Sequence, residues 1–136
     1  MSESEYQVIG TGINVYENTT PAEGLSRWLD SPDAVMELVM SGEIGNTIGI
    51  SRGGTTTFMA PALASGIAGL ITLQGAPESH LGILSREFGI PCVMSVNFTE
   101  GIETDRSETI PADGTPLRLD VSDASAGRVL ADTNGA

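Results

Sequence analysis

Residues 69–96 read GLITLQGAPESHLGILSREFGIPCVMSV and decide the fold of this chain. The two ends of this stretch, at 69–73 and 91–96, have no polar face, which is typical of central parallel strands. The run between them predicts a helix of about ten residues that begins near Ser79 and is stopped at Gly89. A strand, a helix and a second strand in this order predict a right-handed crossover between parallel neighbours.

The flanking sequence extends this pattern on both sides. Strand and helix signals alternate throughout 46–96, and a bent strand is predicted at 7–16. The run at 116–121 alternates cleanly, which indicates a half-exposed strand near an edge, and a last short strand is predicted at 127–130. These final strands could close the other side of the sheet in antiparallel fashion. We expect a single α/β domain, with a mixed central sheet and flanking helices.

The N-terminal part carries one clear helix signal. The segment SPDAVMELVMSG at 31–42 offers Ser31 as a cap, a proline at the first helical position and a glycine as the stop. The preceding segment at 19–32 is predicted to be a loop, with one helical turn around Leu25 and Trp28 as an option.

The charge of the chain excludes some partners. The 136 residues carry a net charge of −12, with no lysine and six arginines. A nucleic-acid surface needs a basic face, so we expect neither nucleic acid nor an anionic membrane as a partner.

Cys92, the only cysteine, lies in an apolar run and is predicted to be a buried reduced thiol, which fits a cytoplasmic protein. The polar residues 1–7 do not resemble a signal peptide.

One uncharged stretch could in principle cross a bilayer. Residues 53–77 contain no charged side chain over 25 positions. The three threonines, the proline and the glycines within this stretch favour a buried core over a membrane span.

His80 is the only histidine, and it is predicted to lie at the start of the helix. A helix start presents unpaired N–H groups and about half a positive charge, so it favours an anion such as phosphate. The same field disfavours imidazolium by about 0.3–1 kcal/mol, which leaves a ring nitrogen with a free lone pair. Gly75 would let the loop approach a ligand closely, and Ser79 could cap the helix or donate to an oxyanion.

Other roles for this histidine are open on spacing alone. It could be a structural hydrogen-bonding residue or a surface residue. A zinc site is excluded in practice, because one His and one Cys cannot complete a closed coordination shell. A Ser-His-Asp triad remains formally possible, although the sequence has no nucleophile elbow.

The run GAPESHLGILSREFGIPCV resembles the signature of the phosphohistidine swivelling domain, the mobile domain of phosphoenolpyruvate-utilising enzymes. This domain is shared by phosphoenolpyruvate synthase, pyruvate phosphate dikinase, the first enzyme of the sugar phosphotransferase system and phenylphosphate synthase. The matching residues are Ser79, His80, Ser85, Arg86, Glu87, Gly89, Ile90 and Pro91. Upstream, Thr56 and Thr57 take the threonine places of the family, and the resemblance covers about residues 43–130.

The resemblance implies a role for His80 as a phosphocarrier that is loaded at one partner site and unloaded at a second. Gly75, Ser79, Thr56, Thr57, Arg86 and Glu78 are then implied to bind phosphate or support the site. Arg86 is open between a salt bridge to Glu87 or another acid and a role in docking. Glu78 stands where dikinases often carry threonine; it could repel the phosphoryl group, orient the imidazole or be a benign acid at a helix start. Ala76 replaces the second glycine of the family and Phe58 replaces its proline.

The resemblance also implies a division of labour among subunits. Residues 1–42 are expected to form an extension packed on the same domain, 43–130 the swivelling domain and 131–136 a frayed tail. The extension could hold a docking helix or simply add a layer to the core. The expected partners are an ATP-grasp kinase subunit, which would bind the ATP and Mg²⁺, and an acceptor-binding subunit. No cofactor or metal is expected on this chain. A non-catalytic scaffold module of the same fold is the alternative.

Overall fold

The computed structural model describes residues 6–15, 22–29, 31–52, 61–74, 80–99, 101–104, 107–123 and 126–132. Its strands are β1 (Tyr6–Asn14), β2 (Ala22–Trp28), β3 (Thr47–Ser51), β4 (Gly69–Thr72), β5 (Cys92–Phe98), β6 (Ile102–Glu103), β7 (Thr109–Ile110), β8 (Pro116–Asp120) and β9 (Gly127–Asp132). Its helices are α1 (Pro32–Ser41), a 3₁₀ turn (Ile44–Asn46) and α2 (His80–Phe88), and residues 61–64 are also helical.

Seven of these strands form a closed barrel in the order β1-β5-β4-β3-β2-β8-β9. Strands β2, β3, β4 and β5 are parallel neighbours, whereas β1, β8 and β9 are antiparallel to theirs. The antiparallel closure agrees with the expectation for the last two strands. Strands β6 and β7 form a separate two-stranded sheet, a hairpin within the polar segment that precedes β8.

The predicted α/β class, with a central sheet flanked by helices, is wrong. The described chain is mostly sheet, with 46% strand and 24% helix, and the sheet closes on itself. Strand β9 pairs with both β8 and β1, so β8 does not lie near an open edge as its alternating pattern had suggested. A half-exposed strand has the same alternation at a sheet edge and in a barrel wall, because both have one buried face.

Two apolar clusters explain why the barrel closes. Side chains from all around the barrel fill its interior, among them Ile48, Ile50, Ile71, Val93, Leu119 and Val129. A second cluster lies on the outer faces of β4 and β5, where Leu70, Cys92 and Met94 pack with helical residues such as Val35, Leu38 and Leu63. Adjacent residues of β4 therefore face opposite clusters, and both faces of this strand are buried.

The helix predicted after Ser31 is confirmed. The Ser31 hydroxyl accepts a hydrogen bond of 3.2 Å from the Ala34 N–H, Pro32 occupies the first turn, and Gly42 ends the helix with a φ of 81°. The loop predicted at 19–32 is wrong over Ala22–Trp28, which forms β2. The segment pairs with β3 on one side and with β8 on the other, and these contacts are distant in sequence.

The N-terminal residues contribute directly to the barrel. Strands β1 and β2 fall within the expected extension at 1–42, and each forms a barrel wall with strands from later in the chain. The boundaries of an extension, a swivelling domain and a tail stay a prediction. None of the helices in the described ranges has the length and apolar character that a bilayer crossing demands.

Candidate functional site

The strands that precede the segments with most of the predicted site residues end side by side. Parallel strands β3 and β4 end at Ser51 and Thr72, which are register partners. The chains stay paired for two more residues: the Leu73 N–H donates to the Ser51 carbonyl at 3.0 Å, and the Gln74 N–H donates to the Arg52 carbonyl at 2.9 Å. Two neighbouring parallel strands thus end together at one end of the barrel, and ligands bind at the carboxyl ends of the strands in parallel sheets.

Five predicted site residues lie in the segments 53–60 and 75–79, outside the described residues: Thr56, Thr57, Gly75, Glu78 and Ser79. Their roles stay predictions. The structure shows that Arg52 and Gln74, the residues directly before these segments, are hydrogen-bonded neighbours at the carboxyl ends of β3 and β4.

His80 is the first residue of α2, and the sequence had predicted that it lies at the start of a helix. Its side chain lies outside what the structure describes. The far end of this helix is fixed close to the start of β5. The Ile90 N–H donates to the Ser85 carbonyl at 2.8 Å, Gly89 has a φ of 71°, and Cys92 begins β5. Nine helical residues span about 13 Å, so the start of α2 lies towards the carboxyl end of β4.

Arg86 holds the C-terminal end of α2 against the barrel. Its guanidinium donates to the backbone carbonyl of Val15 at 3.0 Å, and the Val15 N–H donates to the Cys92 carbonyl at 3.1 Å. This contact is to a main-chain oxygen, which neither of the two expected roles had included. It lies at the opposite end of α2 from His80, so Arg86 contributes to the position of the helix.

A polar cluster that the sequence had not revealed lies at the carboxyl end of β3. Arg52 donates through Nε to both carboxylate oxygens of Glu108, at 2.8 and 3.0 Å, and its guanidinium lies 5.1 Å from the centre of the Trp28 ring. Glu108 also accepts a bond of 2.6 Å from the Thr104 hydroxyl. The pair ties the β6–β7 hairpin to the end of β3. In the sequence, the only feature that pointed to this cluster was an arginine directly before Gly53.

A cavity of about 290 Å³ opens between the ends of β4 and β5 and this hairpin. Its described lining combines the apolar side chains of Leu73, Val96 and Phe98 with the polar groups of Gln74, Asn97, Glu108 and Thr109. The lining residue Gln74 is the last described residue before the loop that leads to His80. The cavity therefore lies beside the last described residue that precedes His80.

Burial makes Cys92 chemically inert, as the sequence predicted for this thiol. Burial raises the pKa of Cys92 from 9.0 to about 12, although a hydrogen bond with the Ser85 side chain partly opposes the shift. Below pH 9.0 the thiol is neutral in both the folded and the unfolded state. Above it, only the unfolded chain ionises readily, so folding stability is lost as the pH rises towards about 12.

This shift predicts a specific pH dependence. Between pH 9.0 and about 12, Cys92 should reduce the unfolding free energy by up to about 1.4 kcal/mol per pH unit, and Cys92→Ala should lack this component. Urea unfolding at several pH values measures the two slopes. In the folded protein the thiol should also react with a thiol reagent far more slowly than in the unfolded chain. Equal slopes in both proteins, or fast labelling of the folded protein, would contradict the inertness of this group.

The titratable side chains of the described ranges offer no group of three or more His, Cys, Asp or Glu that could hold a metal ion. The described part of the candidate site consists of one histidine at a helix start, the paired chain ends at Arg52 and Gln74, and the Arg52–Glu108 pair.

Comparison with known families identifies the class of protein that this fold and this site define. Residues 50–120, slightly more than half of the chain, match the family described as PEP-utilising enzyme, mobile domain. The chain belongs to this family, which confirms the resemblance read from the histidine run. Comparison with curated proteins finds no match.

Family membership makes this chain a phosphohistidine-carrying domain. The matched region spans the end of β3, the loop that contains Thr56 and Thr57, β4, the loop before His80, and all of α2. It extends to the end of β8, whereas β1, β2, most of β3 and β9 lie outside it.

Proposed function

We propose that this protein is a stand-alone phosphohistidine carrier that works between separate subunits. His80 accepts a phosphoryl group from an ATP-dependent kinase partner and passes it to an organic acceptor or to a site of the phosphoenolpyruvate or pyruvate type. The observation that carries the proposal is the position of the chain's only histidine at the first residue of α2, within a match to a family of mobile domains.

The helix start suits both the empty and the loaded state of His80. Free N–H groups and the helix dipole favour the neutral imidazole, whose lone pair attacks phosphorus. The phosphoryl group that results is an anion, which the same groups stabilise. One electrostatic arrangement therefore supports the nucleophile before transfer and the product after it.

The donor nucleotide is proposed to bind to a partner. The chain has no lysine, so it offers no Gly-rich phosphate loop with the lysine that such loops carry. We propose an ATP-grasp kinase subunit as the donor, with ATP and Mg²⁺ in its nucleotide pocket, and an acceptor-binding subunit as the recipient. Glu78, Ser79, Gly75, Thr56 and Thr57 are proposed to surround the phosphoryl group on His80.

Labelling with ATP tests the proposal. The protein is incubated with an ATP-grasp kinase subunit from the same organism and with ATP carrying ³²P at the β or the γ position in parallel reactions. A carrier acquires up to one label per chain, and the bond is labile in acid and stable in base, as expected of phosphohistidine. Because His80 is the only histidine, a phosphohistidine on this chain can only be at this residue. No label in the presence of an active kinase would contradict the carrier role.

A catalytically silent scaffold of the same fold is the second candidate. The observation that favours it is Glu78, a carboxylate two residues before His80 that would repel a phosphoryl group. Glu78→Thr distinguishes the two candidates. If this substitution turns an unlabelled protein into a labelled one, the native chain is a scaffold whose site is blocked by that carboxylate.

A further inference from the structure

The hydroxyl of Thr72 is buried without a hydrogen-bond partner. Thr72 is fully buried, and its Oγ1 has no partner in the structure, whereas other buried hydroxyls, such as those of Thr47 and Ser85, donate to carbonyl groups. An unpaired buried hydroxyl costs about 1–3 kcal/mol, and valine would fit the same space without this cost. We therefore expect the Thr72 hydroxyl to form a hydrogen bond in another state of the protein.

The register of β4 directs this hydroxyl towards the helix layer. Leu70 belongs to the outer cluster beneath the helices, Ile71 belongs to the barrel interior, and Thr72 shares the outward face of Leu70 because strand side chains alternate. Thr72 is also the last residue of β4, so it lies at the end of the barrel towards which α2 begins. The buried hydroxyl thus lies in the layer of α2, at the end of the barrel towards which this helix begins.

We infer that Thr72 is a phosphate-binding residue that completes an anion site together with the backbone N–H groups at the start of α2. Its hydroxyl donates a hydrogen bond to an oxygen of the phosphoryl group that His80 receives, and it stays unpaired while the site is empty. This inference rests on the proposed phosphoryl transfer to His80 and adds a residue to it. The site selects a tetrahedral oxyanion, because the three terminal oxygens of a phosphoryl group can accept hydrogen bonds from helix amides and one hydroxyl.

Phosphoramidate tests the inference without any partner protein. In this reaction the P–N bond of phosphoramidate breaks, a new P–N bond forms to a ring nitrogen of His80, and the ring proton leaves with the amine as ammonia. Phosphorus NMR follows the reaction, and the same samples are melted to give Tm. The variants are Thr72→Val, Thr72→Ser and Thr47→Val.

Three results are expected. Thr72→Val should raise Tm by about 2–5 °C, because the unpaired hydroxyl is removed, and should slow the phosphorylation of His80 by about tenfold. Thr72→Ser, which keeps the hydroxyl, should restore most of the rate. The control Thr47→Val removes a hydroxyl that donates to the Glu43 carbonyl at 2.8 Å, so it should lower Tm and leave the rate unchanged.

Each other result overturns the inference in a defined way. If Thr72→Val raises Tm and leaves the rate unchanged, the hydroxyl has no part in transfer. If Thr72→Val lowers Tm or fails to fold, the hydroxyl is already bonded in the resting protein. If neither phosphoramidate nor the kinase subunit phosphorylates the unsubstituted protein, the proposed function fails, which is distinct from the failure of Thr72 alone.

Discussion

His80→Gln should abolish phosphorylation of this protein. Glutamine keeps a polar side chain of similar reach but has no nitrogen lone pair that can attack phosphorus. Because the chain has no second histidine that could substitute, the acid-labile label should fall at least about a hundredfold, to the background of the assay. Labelled ATP with the kinase subunit, followed by acid and base treatment, measures the loss.

The fold should not depend on this imidazole. His80 begins a helix whose other end is held by the Ser85, Arg86 and Ile90 contacts, so Tm should change little. Arg118→Gln is the matched control, because it removes a charge whose partner is Glu23 on the neighbouring strand β2, and it should label like the unsubstituted protein. Retention of an acid-labile label in His80→Gln would place the phosphoryl group on another residue type and end the assignment.

Leu119→Ala should reduce stability more than an average substitution. Leu119 is fully buried inside the barrel, and its side chain approaches Gly69 on β4, across the interior. Truncation of a buried leucine to alanine costs about 2–5 kcal/mol, because the lost transfer energy adds to the cost of the cavity. Urea unfolding should show this loss as a lower midpoint with an unchanged slope.

Leu25→Ala provides the matched control for this prediction. Leu25 lies on the neighbouring strand β2 but is 47% exposed, so the same truncation should cost less than about 1 kcal/mol. Similar losses at the two positions would mean that Leu119 does not fill a closed interior. The comparison therefore tests the barrel itself, the feature that overturned the predicted α/β layer.

Local signals in the sequence were sufficient for the elements around His80. The glycine stop, the apolar strands and the helix between them depend on interactions within a few residues, and β4, α2 and β5 occur where they were predicted. The Ser31 cap is equally local, since its bond reaches only three residues along the chain.

Closure of the sheet depends on contacts that no local pattern contains. Tyr6 pairs with Asp132, more than a hundred residues away, and Gly12 pairs with Gly127. Strand β2 was missed for the same reason, because its sequence AEGLSRW is polar and is extended only by its neighbours β3 and β8. The Arg52–Glu108 pair joins residues 56 positions apart, so periodicity could not bring them together.

The histidine was found because its chemistry is unusual for this composition. A single imidazole in an acidic chain, at a helix start and after a glycine loop, is a local pattern with a physical consequence. Thr72 carried no such signal. Its interest arises only from complete burial and the missing partner of its hydroxyl, both of which are properties of the folded barrel.

Transfer of an isolated phosphoryl group tests the central claim most directly. The phosphorylated protein is separated from kinase and ATP, mixed with the acceptor subunit and its substrate, and followed by phosphorus NMR. The account predicts that the His80 signal disappears as phosphorylated acceptor forms in equal amount, whereas the signal decays only slowly to inorganic phosphate when the acceptor subunit is left out. A phosphoryl group that remains on His80, or that appears only as inorganic phosphate with the acceptor present, would contradict a carrier.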